Sequence, residues 1–244
     1  MRPTILTVLL LSATLAGLPA CAKQEQAQAP KLQTEDDKTL YALGQAISKN
    51  LDSFQLTPQE LAIVQLGLAD GVNGKPAQVE FEKYGEKIQG LHQTRSAKLA
   101  EKDKTAGQDY LTKAAAEKGA TKTPSGIVIN TLTAGTGASP VATDEVKVHY
   151  EGKLIDGTVF DSSIKRGEPA TFPLNGVIPC WTEAVQLMKV GGKSRIVCPS
   201  DLAYGDRGQP PQIRPGATLI FEVQLLDIVK PGAAQGQPQP QPQK

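Results

Sequence analysis

The sequence has 244 residues, enough for one or two domains with a core of their own. Its 26 basic and 25 acidic side chains nearly cancel, which argues against a nucleic-acid surface or a polybasic membrane patch. Three cysteines and two histidines lie far apart, without metal-ligand spacing, so neither a metal nor a cofactor is expected.

In chain order, Arg2 is the only charge ahead of an apolar run over residues 5–15. That run is too short to span a bilayer and fits the core of a signal peptide. It ends in Leu18-Pro19-Ala20-Cys21, which resembles the lipobox of bacterial lipoproteins, with Cys21 as the lipidated first residue of the mature chain. Ala20-Cys21-Ala22 also fits the small-x-small rule, so plain secretion with cleavage after Ala22 is the alternative. Both readings export the protein, and Ala22 in place of Asp after the cysteine resembles sorting to the outer membrane. Residues 1–21 are read as the signal. Residues 22–36 hold almost no apolar side chains and are read as a disordered tether.

Helical spacing then sets in at Leu40, Leu43, Ile47 and Leu51. Thr57-Pro58-Gln59-Glu60 predicts a second helix start: Thr as N-cap, Pro in the first turn, Glu three after the cap. Leu61, Val64 and Leu68 carry it to a break at Gly71 and Asn73-Gly74. Residues 78–117 read as one long helix with an apolar stripe at Phe81, Tyr84, Ile88 and Leu91. Beyond Arg95 it turns polar with little periodicity, which predicts an exposed arm with a bend at Gly107. Short helices do not stand alone in water. Residues 37–120 are therefore read as an all-α dimerisation region with a long connecting helix; the alternative is a monomeric hairpin folded back on the C-terminal half.

After Gly119 the period changes to two. Residues 127–132, 145–151, 158–160, 194–198 and 218–228 alternate as strands, and Asp156-Gly157 supplies a hairpin turn. With one helix opening at Trp181, this predicts an α+β domain: an antiparallel sheet wrapped on one short helix. Gly192-Lys193-Ser194 ends like a phosphate loop, but Leu187 occupies the place of the required glycine. No serine or cysteine has a readable His and carboxylate beside it, so nucleophilic catalysis is unsupported. The only tryptophan, Trp181, follows Gly176-Val177-Ile178-Pro179-Cys180. On that stretch alone it fits the floor of an apolar pocket or plain core packing.

Five motifs carry a resemblance. In order they are Val148-His149-Tyr150-Glu151-Gly152, then Asp156-Gly157-Thr158-Val159-Phe160-Asp161-Ser162-Ser163, then Val177-Ile178-Pro179-Cys180-Trp181. Leu202-Ala203-Tyr204-Gly205 and Pro215-Gly216-Ala217-Thr218-Leu219-Ile220-Phe221 follow. Over residues 122–230 the chain resembles the FKBP-type peptidyl-prolyl cis-trans isomerases. Tyr41-Ala42-Leu43-Gly44 and the long helix resemble, more loosely, the dimerisation region of the macrophage infectivity potentiator and periplasmic FkpA group.

The resemblance implies an FKBP-like isomerase domain over residues 121–230. It makes Tyr150, Asp161, Tyr204 and the backbone N–H of Ile178 the catalytic contacts. Phe160, Phe172, Val177, Trp181, Ile213 and Phe221 become the substrate-binding walls, with Ile213 reaching in from a flap over residues 205–215. Ala170 and Gln209 depart from the aromatic and histidine that some members carry. Cys180 and Cys198 would lie together near Trp181, as a disulfide in an exported protein or as two buried free thiols. Implied partners are unfolded or proline-containing client polypeptides, a second copy of the chain, the membrane through a lipid at Cys21, and macrolide inhibitors such as rapamycin and tacrolimus; nucleic acid is not among them. The implied place is the envelope of a Gram-negative bacterium, in the periplasm and anchored to the outer membrane. A rival reading is an ATP-independent chaperone or surface-exposed binding lipoprotein with a vestigial pocket. Residues 231–244, a Pro/Gln repeat, read as a disordered tail.

Overall fold

The computed structural model describes residues 30–229. The signal segment, Cys21, most of the tether and the Pro/Gln tail lie outside the described residues. The described residues fall in two units, 30–41 and 42–229.

Helix α1 (Glu35–Lys49) starts where Asp37 N–H donates to Thr34 Oγ1 at 3.0 Å and Thr34 N–H donates back to the Asp37 carboxylate at 2.8 Å. The Thr34 N–H, and after it the Thr34 hydroxyl, holds the Asp37 carboxyl below its ordinary range. Helix α2 (Pro58–Val72) begins at the expected capping box. Glu60 N–H donates to Thr57 Oγ1 at 3.3 Å, and Thr57 N–H donates to Glu60 Oε2 at 2.8 Å. Pro58 opens the helix where a missing N–H costs nothing. A 3-10 turn (Asp52–Phe54) precedes α2, and Arg95 of helix α3 (Phe81–Ala115) closes the corner. Its guanidinium pairs with Glu60 and donates to the Phe54 carbonyl at 2.8 Å. No residue of α1 and only Asp70 of α2 is buried. The apolar stripes expected of short helices are there, uncovered among the described residues.

The distal half of α3 departs from the expected all-polar arm. Leu99, Ala100, Asp103, Gly107, Leu111 and Ala114 are buried along one face. Leu111 and Ala114 pack on Val128 and Val197 of the sheet. Three of these six, Ala100, Gly107 and Ala114, are small and Asp103 is charged, so they add little to a hydrophobic period although they pack. Gly107 is not a bend: the helix runs through it, and a Cβ there would overlap the Thr218 side chain.

The sheet domain follows as β1 (Ala120–Lys122), β2 (Val128–Thr133), β3 (Glu145–Leu154), β4 (Val159–Ser162), α4 (Ser163–Arg166), β5 (Ala170–Pro173), α5 (Pro179–Gln186), β6 (Lys193–Cys198) and β7 (Leu219–Val229). The seven strands are ordered β1-β2-β6-β7-β3-β4, with β5 also paired to β3, and every pairing is antiparallel. The expected alternation holds on β3, where Val146, Val148, Tyr150 and Leu154 point inward, and on β7, where Leu219, Phe221, Val223 and Leu225 do the same. Those two rows close over Trp181, Ala184 and Val185 of α5. Strands β1 and β5 and the single turn α4 were not expected, being three or four residues long with no readable period.

The β3–β4 hairpin turns at Gly157, whose φ of +87° suits glycine. Cys180 and Cys198 are joined in a disulfide that ties the first turn of α5 to the end of β6, with Cα atoms 5.8 Å apart. No helix among the described residues is long and apolar enough to cross a membrane.

Candidate active site

Pro179 starts α5 directly after the extended pair Val177-Ile178, so Trp181 falls in the first helical turn and faces the sheet. The indole is 4% exposed and is the hub of a set of edge-to-face rings. It meets Tyr150 and Phe221 at 5.3 Å each and Phe172 at 5.8 Å, with interplanar angles of 84° to 89°. Phe160 stands at 5.7 Å and 89° to Phe221. Gly152 makes that last pair fit: it lies opposite both Asp161 and Phe221 in the ladder. A Cβ at Gly152 would sit 2.6 Å from the Phe160 ring and 3.0 Å from Phe221.

These rings bound a cavity of about 480 Å³. Tyr150, Phe160, Phe172, Trp181 and Phe221 supply its aromatic wall, and Val177 and Ile178 the lip next to α5. Asp161 and Tyr204 border it with polar groups, and Gly176 adds backbone. Ile213 is not part of the lining. It is 4% exposed within the main core, because its segment folds on itself: Gln209 N–H donates to Ile213 O at 2.8 Å and Ile213 N–H donates back at 2.9 Å. Ala170 also packs against the core.

The polar edge is a linked set. The Tyr150 hydroxyl donates to the Asp161 carboxylate, which also pairs with Arg166. The Arg166 guanidinium donates to the Tyr150 oxygen at 3.0 Å and lies over its ring, 5.6 Å from the centroid. Burial, followed by the bond to Asp161, pushes the Tyr150 hydroxyl up to about 12. Burial and the nearby Asp161 charge also raise Tyr204. Both phenols therefore keep their protons, and their donor capacity, across the physiological range. The Trp181 indole N–H is buried without a partner.

Two residues of this edge were not legible in the sequence. Arg166 reaches Asp161 because Ser162 caps α4: Lys165 N–H donates to Ser162 Oγ at 3.2 Å, and the turn brings the guanidinium back. Ser163 is fully buried and holds the main chain of Tyr150, accepting from its N–H at 2.8 Å and donating to its carbonyl at 3.2 Å. On that edge of β3, pairing with β5 stops at Val148 and pairing with β4 starts at Glu151. One hydroxyl takes the place of the missing strand. A Ser-Ser pair after a strand signals a cap, but not which of the two turns inward.

The arrangement offers an apolar hollow with donors at its rim and no activated nucleophile. Among the described residues no three His, Cys, Asp or Glu side chains converge on a metal position. A shape of this kind suits a reaction that reorganises a bound group without making or breaking a bond.

Comparison with known proteins agrees. Residues 137–226 match the family described as FKBP-type peptidyl-prolyl cis-trans isomerase. Residues 36–128 match the domain amino terminal to FKBP-type peptidyl-prolyl isomerase. The chain is 41% identical to the FKBP-type peptidyl-prolyl cis-trans isomerase FkpA of Aeromonas hydrophila, over 92% of this chain and 94% of that one. It is 38% identical to the outer membrane protein MIP of Legionella longbeachae, over 91% and 97%. The crystal structure of FkpA from Escherichia coli superposes with a TM-score of 0.63 at 34% identity, covering 82% of this chain and 99% of that one. The chain belongs to the FKBP-type peptidyl-prolyl cis-trans isomerase family. It is an enzyme that interconverts the cis and trans forms of X–Pro peptide bonds, and within the family it is similar to the FkpA and Mip proteins.

Proposed function

We propose that the 480 Å³ cavity catalyses isomerisation of X–Pro bonds in unfolded or folding envelope proteins, without a covalent step. The convergence of Tyr150, Phe160, Phe172, Trp181 and Phe221 on one hollow, with Asp161 and Tyr204 at its rim, carries this reading. Rotation about the peptide link passes through a twisted amide that has lost resonance, against a barrier of ~18–20 kcal/mol. A dry aromatic wall favours the less polar twisted form over the planar one. Shortening tens of seconds to milliseconds requires about 5.5 kcal/mol, at about 1.4 kcal/mol per decade. A few buried contacts made only with the twisted form supply that.

In this mechanism the proline ring rests on Trp181 between Phe160, Phe172 and Phe221, with Val177 closing the lip. The Ile178 N–H holds a substrate carbonyl and Tyr204 a second one. Tyr150, fixed by Asp161 and Arg166, keeps the rim polar on one side. Ile213 supports the wall from behind. The same apolar hollow suits macrolides such as rapamycin and tacrolimus as competitors.

The helices before the sheet domain are read as the dimerising and client-holding part. The apolar side chains left uncovered on α1, on α2 and on the first half of α3 support a second copy of the chain as their cover. The domain plan of signal 1–21, tether 22–36, helical region 37–120, isomerase 121–230 and tail 231–244 stands as part of the proposal. So does a lipid on Cys21 that anchors the dimer to the outer membrane of a Gram-negative cell. The name of the Legionella relative, an outer membrane protein, supports that location. The uncovered helices also favour a second activity, ATP-independent holding of unfolded chains.

A protease-coupled assay on a proline tetrapeptide tests the pocket. Phe160→Ala is expected to lower kcat/KM by about 10²-fold, the scale of a misplaced reacting group. Unchanged turnover would sink the assignment and leave the holding activity as the sole function.

A further inference from the structure

The distal half of α3 does more than cover β2 and β6. Ala100, Asp103, Lys104 and Gly107 share one helix face, at i, i+3, i+4 and i+7. Each engages residues 201–218, the segment that carries Tyr204. The Ala100 main chain lies so close to Gly216 that a Cβ there would overlap it, and Gly107 makes the matching space for Thr218. Between these two contacts Asp103, 8% exposed, faces Arg214 with Oδ2 and Nε 3.1 Å apart. Both atoms are buried without the alignment of a hydrogen bond, so the contact is one of charge. Arg214 also lies 3.7 Å from Asp156 in the β3–β4 turn. Lys104 spans Asp201 at 3.0 Å and Asp206 at 2.6 Å, one on each side of Tyr204.

The segment transmits what holds it. Gly216 N–H donates to the Gly205 carbonyl at 2.9 Å, and Gly208 N–H donates to the Tyr204 carbonyl at 3.1 Å. A contact at Arg214 or Gly216 therefore reaches Tyr204 within a few bonds. The two kinds of ion pair differ in weight. The Lys104 pairs involve aspartates 70% or more exposed, and exposed pairs contribute little. In the other pair the Asp103 side chain is 10% exposed and that of Arg214 32%, so it is screened less, and losing Asp103 leaves the guanidinium with the more distant Asp156 alone.

We infer that Asp103 is a positioning residue for the isomerase: through Arg214 it holds the Tyr204 segment against α3, so that the long helix is a structural part of the active site. Lys104 assists. The inference rests on the reading of Tyr204 as a pocket contact; the sheet domain supplies the whole lining, and α3 steadies the segment that carries Tyr204.

The test uses the full chain in a proline-tetrapeptide assay, with Asp103→Ala, Tyr204→Phe and the double variant. Asp103→Ala is expected to lower kcat/KM about three- to tenfold, by misplacement remote from the chemistry. In the Tyr204→Phe background the same change is expected to add almost nothing, since coupled sites are not additive. Native-state hydrogen exchange gives a second readout. The Gly208 and Gly216 amides should exchange faster in Asp103→Ala while those of β3 and β7 do not, a pattern that general destabilisation does not produce. An equal loss in both backgrounds overturns the inference, as does unchanged exchange at Gly208 and Gly216. Wild-type turnover for Tyr204→Phe alone removes Tyr204 from the pocket; the exchange result then decides the clamp by itself. Should Asp103→Ala fail to fold, Asp103→Asn, which keeps the side chain's shape and removes its charge, is read by the same exchange criterion.

Discussion

In the sheet domain Val146, Val148, Leu219 and Val223 are completely buried, while on α1 and α2 Leu43, Leu66 and Leu68 keep half or more of their surface. Both regions are built from the same kinds of aliphatic side chain at regular spacing. The sheet closes its apolar face with its own helix, Trp181 filling the gap, and leaves one hollow open for a substrate. The helices have apolar faces that no described residue covers. One region closes its own core, and the other leaves the faces for which a second copy of the chain is proposed.

Four changes probe that contrast. Leu68→Glu should have the largest effect on the helical side, because an unpaired carboxylate in an apolar interface costs several kcal/mol. The proposed dimer is expected to dissociate at micromolar concentration in analytical ultracentrifugation, with tetrapeptide turnover unchanged. Loss of turnover along with the dimer would show that the two regions are not separable in this way. On the sheet side, replacing Cys180 and Cys198 by serine should remove about 3 kcal/mol of stability, the loop-closure expectation for a link across 18 residues. Urea titration followed through the single tryptophan reads that loss, and sedimentation should still report a dimer.

A smaller effect is expected from Gly152→Ala. The added methyl meets the Phe160 and Phe221 rings, and overpacking of this kind costs about 1–3 kcal/mol. Because Phe160 borders the cavity, KM for the tetrapeptide should rise more than the melting temperature falls. The smallest effect concerns the corner between α2 and α3. Bonding from Arg95, and then from the Thr57 N–H, lowers Glu60 from its ordinary 4.5 to about 2. The folded state therefore holds this proton more weakly than the unfolded chain does. The resulting stability is complete above the unfolded value and is lost as pH falls from 4.5 toward 2. Glu60→Gln should lower the melting temperature slightly near neutrality and flatten that part of the acid limb in thermal melts.

The parts of the molecule that could be read from the sequence are those with a strong local rule. Thr57 and Glu60 form their capping box, β3 and β7 keep a two-residue period, and Asp156-Gly157 turns the hairpin. The residues that border the cavity came from ordered motifs rather than from period, since nothing in alternation says which inward aromatic faces a hollow. What stayed hidden depends on contacts distant in sequence. The packed face of α3 uses Ala100, Gly107 and Ala114, whose size rather than hydropathy matters, and Gly107 makes sense only beside Thr218. Arg166 joins Asp161 through a one-turn helix that a serine caps, and Ile213 turns into the core because Gln209 pairs with its backbone. Strands β1 and β5 exist because neighbours offer them a partner edge.

The bond between Cys180 and Cys198 has a consequence for how this protein comes into being. It fastens the helix that bears the pocket's floor, so a newly made chain must meet an electron acceptor before its own site is braced. A prolyl isomerase that acts without any redox step of its own therefore waits, for one step of its making, on an oxidant.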